Sequence, residues 1–179
     1  MPVLTTSRLT CSPVQEQDWP FYLSLQQHPD VMRYIADKRP IAVIREAFEP
    51  RLQPWEPGSA HWMCLIVRET DSQTPLGATG YIHRDNDCAE VGFIFAANAQ
   101  GKGYGYESLR AVRDYAFTQG GIRRLTATVT VGNAASRGLL EKAGFVLEGE
   151  LRENYWLADS WHNDWIFSLL KHEYQAESH

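Results

Sequence analysis

Along the first third of the chain, apolar residues recur at helical spacing. Trp19, Tyr22, Leu23 and Leu25 predict a helix from Gln15 to about His28, opened by Asp18 and Pro20 and broken at His28-Pro29-Asp30. Ile41 to Leu52 predicts a second amphipathic helix, and the proline-rich run from Pro50 to Gly58 predicts a loop. Before both, Arg8 to Cys11 reads as a short strand. The period then changes. His61–Glu69, Leu76–His83 and Glu90–Phe95 are strand-like, separated by turn-rich Asp71–Pro75 and Arg84–Asp87. Leu109, Val112 and Ala116 mark one face of a further helix, and Arg124 to Val131 alternates as a strand. Asn133 as N-cap and Gly144 just past the C-terminus frame a helix from about Ala134 to Ala143. Val146–Leu157 and Trp161–Leu170 close the chain as two long strands. Helices first, an antiparallel meander next, then strand-helix-strand-helix and a final hairpin predict one α+β domain over residues 1–179.

Composition narrows the function classes. The net charge of −5, with no Lys/Arg run, argues against a dedicated nucleic-acid binder, which needs a basic face to displace counterions. Cys11, Cys64 and Cys88 lie far apart without a C-x-x-C pair, so they read as buried thiols rather than a metal cluster or disulfide framework. Apolar runs such as Met63–Val67 are far too short to span a bilayer. The opening MPVLTTSRLT lacks the basic and apolar regions of a signal peptide, so the expected compartment is the cytoplasm.

The chemistry concentrates in Gln100-Gly-Lys-Gly-Tyr-Gly-Tyr106, three alternate glycines leading straight into a helix. A helix start offers unpaired N–H groups and the positive end of its dipole, and glycines let a phosphate reach them. A P-loop is excluded, because no Gly-Lys-Ser/Thr string follows. A dinucleotide fingerprint fits poorly: Tyr106 stands at its third glycine, and the next strand ends Thr130-Val-Gly-Asn133 without an acidic residue. A glycine-rich loop with no ligand stays open on the turn alone. The remaining pattern, Gln/Arg-x-x-Gly-x-Gly/Ala, matches Gln100 to Gly105 at every fixed position.

That pattern resembles the coenzyme A pyrophosphate loop of the GCN5-related N-acetyltransferase (GNAT) superfamily. Asn133-Ala-Ala-Ser136 followed by Glu141-Lys-Ala-Gly-Phe145 resembles a second segment of the same family. Glu148-Gly-Glu-Leu-Arg152 and Thr6-Ser-Arg8-Leu9 resemble its branch containing the ribosomal-protein N-terminal acetyltransferases RimJ and RimL, and Asp164 fits that branch's final strand. The likeness runs from about Arg8 to Leu170, with Cys11-Ser-Pro13 departing from a common Leu-Arg-Pro.

The resemblance implies a mixed, mostly antiparallel sheet flanked by helices, with a splayed parallel strand pair. It also implies acetyl-CoA as co-substrate, no metal, and transfer of the acetyl group to a primary amine. Backbone groups of Phe93, Ile94 and Phe95 would pair with pantetheine and serve the oxyanion. Gln100, Gly101, Lys102, Gly103, Tyr104, Gly105 and Tyr106 would hold the pyrophosphate, although Lys102 equally reads as a solvated surface lysine. Asn133 would touch pantetheine besides capping its helix. Ser136 would protonate the leaving thiolate, with Tyr155 as a fallback donor. Glu90 would act as base, directly or through water, or is simply a strand-end carboxylate. His61 and His83 read as packed or surface residues, and Trp55 as a groove residue or a pin for its loop. An α-amine is roughly a tenth neutral at pH 7, whereas a lysine amine is neutral about four times in ten thousand. A site without an unambiguous acid-base pair therefore points to a peptide or protein N-terminus as acceptor. The alternatives are a small amine (polyamine, amino acid or drug) and a non-catalytic acyl-CoA-binding module. No nucleic-acid or membrane partner is expected, and a homodimer is what the resemblance suggests.

Overall fold

The central strands are buried on both faces, so each face needs its own cover of helices. The computed structural model, which describes residues 1–174, builds that arrangement. Eight strands form one sheet: β1 (Leu4–Thr5), β2 (Leu9–Pro13), β3 (Leu65–Glu69), β4 (Pro75–Arg84), β5 (Cys88–Phe95), β6 (Arg124–Thr130), β7 (Val146–Leu157) and β8 (Ser160–Leu170). Their order is β1-β2-β3-β4-β5-β6-β8-β7. Only the β5–β6 pair is parallel; every other neighbour is antiparallel. The expected α+β architecture, with a mixed and mostly antiparallel sheet, is what forms.

Helices α1 (Trp19–Gln27) and α3 (Ile41–Phe48) cover one face, where Tyr22, Ile44 and Phe48 pack on Ile66 and Ala78. Helices α4 (Tyr104–Thr118) and α5 (Ala134–Lys142) cover the other. There Leu109, Val112, Ala116 and Leu140 meet Tyr81, Val91, Leu125 and Phe167. Cys11 and Cys64 are buried in these layers, and burial pushes their thiols up to about 12 and about 11. That suits packing, not reactivity.

The differences from the sequence reading are local. His28-Pro29-Asp30 does not simply end α1 but starts a further turn, α2 (Pro29–Met32), with the Asp30 N–H donating to His28 Nδ1 at 3.2 Å. Proline at a first helical position suits a helix start. The second predicted helix stays α only to Phe48 and continues as a 3-10 turn over Glu49–Leu52, because Pro50 has no N–H to extend the ladder. The predicted strand His61–Glu69 enters the ladder only at Leu65. Asn86 and Asp87 both take positive φ (61° and 57°), which shows why that turn carries two residues tolerant of the left-handed region.

Candidate active site

β5 and β6 pair at Cys88↔Arg124, Ala89↔Leu125 and Glu90↔Thr126, and then separate. β5 continues on β4 as far as Phe95, and β6 on β8 as far as Thr130, so each limb is held by its outer neighbour. The fork opens into a cavity of about 380 Å³. Val91 and Phe93 line one limb, Ala127 and Val129 the other. Tyr22 and Gln26 of α1 reach it from one helical layer, and Ser136 and Leu140 of α5 from the other. The cavity therefore passes through the sheet.

Beyond Phe95 the chain makes the glycine-rich turn. The Gln100 side chain donates to the Phe95 carbonyl at 3.1 Å, fastening the turn to the end of β5. Gly101 and Gly103 have φ of 77° and 83°, a region costly for other residues. A Cβ on Gly101 would meet nothing within 4 Å, so the outer side of the turn is open. The first intrahelical bond runs from the Glu107 N–H to the Gly103 carbonyl at 3.1 Å. It leaves the amides of Tyr104, Gly105 and Tyr106 without acceptors inside a helix of 15 residues. Unpaired amides at a positive dipole end, entered from an exposed turn at Gly101–Gly103, fit a pyrophosphate.

The turn is braced from the N-terminus. Arg8 bonds Glu107 through Nε at 2.9 Å and the Lys102 carbonyl through Nη1 at 3.1 Å, with its guanidinium 4.5 Å from the Tyr104 ring centre. Thr6 Oγ1 donates to the same carboxylate at 2.5 Å. Burial works against the charge on Glu107, but the bonds from Thr6 and Arg8 outweigh it and hold the carboxyl below its usual range. Tyr106 packs under Lys142, whose Nζ lies 4.2 Å from the ring centre.

Gly105 has a different reason from its neighbours. A Cβ there would lie 2.5 Å from Leu139 Cδ1 and 3.7 Å from the Phe95 ring, so its bare backbone lets α4 approach α5 rather than clearing space for a phosphate. Gly105→Val should lower stability by about 1–3 kcal/mol through overpacking. Thermal unfolding without ligand measures it, and an unchanged midpoint would refute the close approach.

Both ends of α5 are fixed. Asn133 Oδ1 accepts the Ser136 N–H at 3.2 Å, as the sequence predicted for an N-cap. At the other end Arg113 Nη1 donates to the Ala143 carbonyl at 2.8 Å, and Gly144 takes φ 97°. Asn133 and Ser136 are thereby held against the cavity, at the tip of the β6 limb.

The remaining candidates divide between the cavity and the α4 face. Glu90 lines the fork, and Arg84 holds its carboxylate through Oε2 at 2.6 and 3.2 Å. Tyr155 also lines the cavity, but its hydroxyl donates to the Ile35 carbonyl, and burial raises its pKa. The Asp37 carboxylate accepts the Ala158 N–H at 3.0 Å, so the chain after α2 is stitched to the β7–β8 turn. Trp55 stays out of the cavity: it is buried edge-on to Tyr81 at 5.3 Å and pins its loop. His83 stacks beside it and accepts the Gly58 N–H, and burial lowers its pKa. His61 faces the Gln53 carbonyl at 3.3 Å.

Sequence reasoning missed Tyr34, Trp62 and the role of Asp164. Trp62 lies over Gly92, where a Cβ would meet its ring at 3.0 Å. In sequence Asp164 reads only as part of the last strand. It is buried on the cavity and accepts bonds from Thr130 Oγ1 at 3.1 Å and Asn154 Nδ2 at 2.8 Å. Asn154 reaches it because β7 bulges between Leu151 and Tyr155, with Glu153 at φ 48°. Among the described residues no group of three His, Cys, Asp or Glu is placed to hold a metal ion. No helix among them is long and apolar enough to cross a membrane.

Comparison with known proteins adds independent findings. A family model described as an acetyltransferase (GNAT) domain matches residues 8–146. An uncharacterized N-acetyltransferase, p20 of Bacillus licheniformis, is 30% identical over 178 residues, covering 97% of this chain and 99% of that protein. Two crystal structures share the fold with a TM-score of 0.82. One is a GNAT-family acetyltransferase from Bacillus anthracis, at 20% identity over 96% of this chain and 99% of that one. The other is a spermidine N-acetyltransferase from Vibrio cholerae in complex with CoA and spermine, at 22% identity over 94% of this chain and 98% of that one.

Proposed function

The chain belongs to the GNAT acetyltransferase family, and from that premise we propose that the primary amine it acetylates is the N-terminal α-amine of a protein or peptide. The observation that carries the reading is the fork, whose cavity is lined by Asn133 and Ser136 and whose β5 limb runs on into the glycine turn. No histidine among the described residues lines that cavity, and one of its two carboxylates, Glu90, is tied to Arg84. An α-amine, already roughly a tenth neutral at pH 7, asks least of such a site.

Acetyl-CoA, when bound, supplies the activated acetyl thioester. The end of β5 beyond its last pairing with β6, from Phe93 to Phe95, is assigned to the pantetheine arm through Phe93 and Phe95, since alternation turns the Ile94 backbone to β4, with Asn133 at the tip of the other limb. The amides from Gly101 to Tyr106 are assigned to the pyrophosphate. Ser136 Oγ is assigned the proton transfer to the departing sulfur; Tyr155 ranks second, since its hydroxyl is already spent on Ile35. Glu90, tied to Arg84, is assigned the relay of a proton through water.

A second reading, acetylation of a small cationic amine, is favoured by the likeness to the Vibrio cholerae polyamine enzyme. A panel of amines with thiol release as readout separates the two. An alanine-led peptide should exceed the same peptide with a blocked N-terminus and a free lysine by ~10²-fold in kcat/KM, following the neutral fractions. Turnover of spermidine alone would select the second reading. No thiol release with any amine would overturn catalysis.

A further inference from the structure

We propose that Asp164 seats the ammonium group of the acceptor and takes the proton the amine must shed before it can attack. The inference rests on the acetyltransferase reading above and holds for either acceptor class.

Two carboxylates line the cavity, and their surroundings differ. Glu90 is neutralised by Arg84 at 2.6 Å. Asp164 is only 4% exposed, yet both its bonds come from neutral donors, the Thr130 hydroxyl and the Asn154 amide. No Lys or Arg among the described residues forms an ion pair with it. A buried carboxylate without a cation carries a desolvation cost that a purely structural role leaves uncompensated. Such groups in clefts mark functional sites.

The geometry suits the task. The bond from Thr130 falls on Oδ1 and the bond from Asn154 on Oδ2, one to each oxygen. A carboxylate has about four acceptor sites, so each oxygen keeps capacity for a further donor. Asp164 is the register partner of Thr130 on β6 and of Leu151 on β7, so strands on both sides fix its position. The bulge that follows Leu151 brings Asn154 onto the carboxylate and Tyr155 onto the cavity wall. A small polar site of this kind takes one ammonium, as an ion pair supported by charge-assisted hydrogen bonds.

The proton balance is simple. One N–H proton passes from the ammonium to an Asp164 oxygen, leaving a lone pair on nitrogen. That pair forms the C–N bond to the acetyl carbon as the C–S bond breaks, and sulfur leaves with the bonding electrons. Two protons leave nitrogen in all: the one taken by Asp164 is released to water, and the second balances the proton that sulfur gains.

The test uses the best amine of the panel, an alanine-led peptide or spermidine, and a neutral analogue with hydrogen in place of the reacting amino group. Binding of each is measured by calorimetry with CoA present. Wild type should prefer the amine by about 30-fold, the scale of a hydrogen-bonded charge pair. In Asp164→Asn the preference should fall to about 1, with kcat/KM for the amine lowered by at least ~30-fold and the acetyl-CoA thermal shift retained. Asn154→Ala, at an exposed position, keeps the carboxylate and should keep most of the preference. A wild-type preference near unity overturns the proposal even if Asp164→Asn fails to fold, and so does a folded Asp164→Asn that keeps the wild-type preference. Failure of the acetyltransferase reading looks different: wild type would then release no thiol and show no acetyl-CoA shift.

Discussion

Replacing Ser136 by alanine is expected to lower kcat roughly 100-fold while the acetyl-CoA dissociation constant changes by no more than about twofold. Ser136 lines the cavity at the tip of the β6 limb, and its backbone is fixed there because the Ser136 N–H is held by Asn133 Oδ1 at 3.2 Å. Removing the hydroxyl leaves that bond and the helix intact. General acid-base groups contribute about 10²–10⁴-fold, and a thiolate, being a good leaving group, puts the effect at the low end. Asn133→Ala should behave differently. It removes a cap worth ~1 kcal/mol and a group assigned to pantetheine, so stability and cofactor affinity should fall together. Steady-state kinetics across pH 6 to 9 (a range on the order of the α-amine's own titration) decides the matter. Full kcat in Ser136→Ala would pass the donor role to Tyr155 or water.

The second large effect is expected at Gly103. Valine there must adopt φ 83°, at a cost of roughly 1–2 kcal/mol, and its Cβ would come 3.3 Å from Arg8 Nη2. Relief of either strain moves the turn or the Arg8 brace, and with them the amides of Tyr104 to Tyr106. Wild type should gain about 2.7 kcal/mol from acetyl-CoA at a hundredfold excess over its dissociation constant. Gly103→Val should lose that gain while still unfolding cooperatively. Melting curves with and without acetyl-CoA measure both proteins. A wild type that acetyl-CoA does not stabilise would sink the assignment of the turn; a Gly103→Val variant with the full gain would show that the amides tolerate a side chain.

What the sequence made legible was local and periodic. Leu109, Val112 and Ala116 gave the buried face of α4, and Asn133 and Gly144 bounded α5, because caps and helical stripes are written within a few residues. The glycine turn was visible for the same reason. The distinct purpose of Gly105 was not, since it depends on Leu139, which only the docking of two helices brings near. Nor was the Arg8–Glu107 brace, whose partners stand 99 residues apart and meet only after folding. Asp164 read as an ordinary polar residue of a strand. Its character comes from burial and from Asn154, delivered by a bulge with a left-handed glutamate that no pattern of apolar residues announces. Trp55 was open to two readings because proline-rich sequence fixes a loop without fixing which way its aromatic turns.

The passage through the sheet has a consequence for the order of events. A fork lined by α5 in one layer and by α1 in the other offers two molecules approach from opposite faces of the sheet. Neither has to vacate the doorway before its counterpart enters. An acyl group then has no need to be parked on the protein between visits, and a hand-over in a single encounter is the expected order.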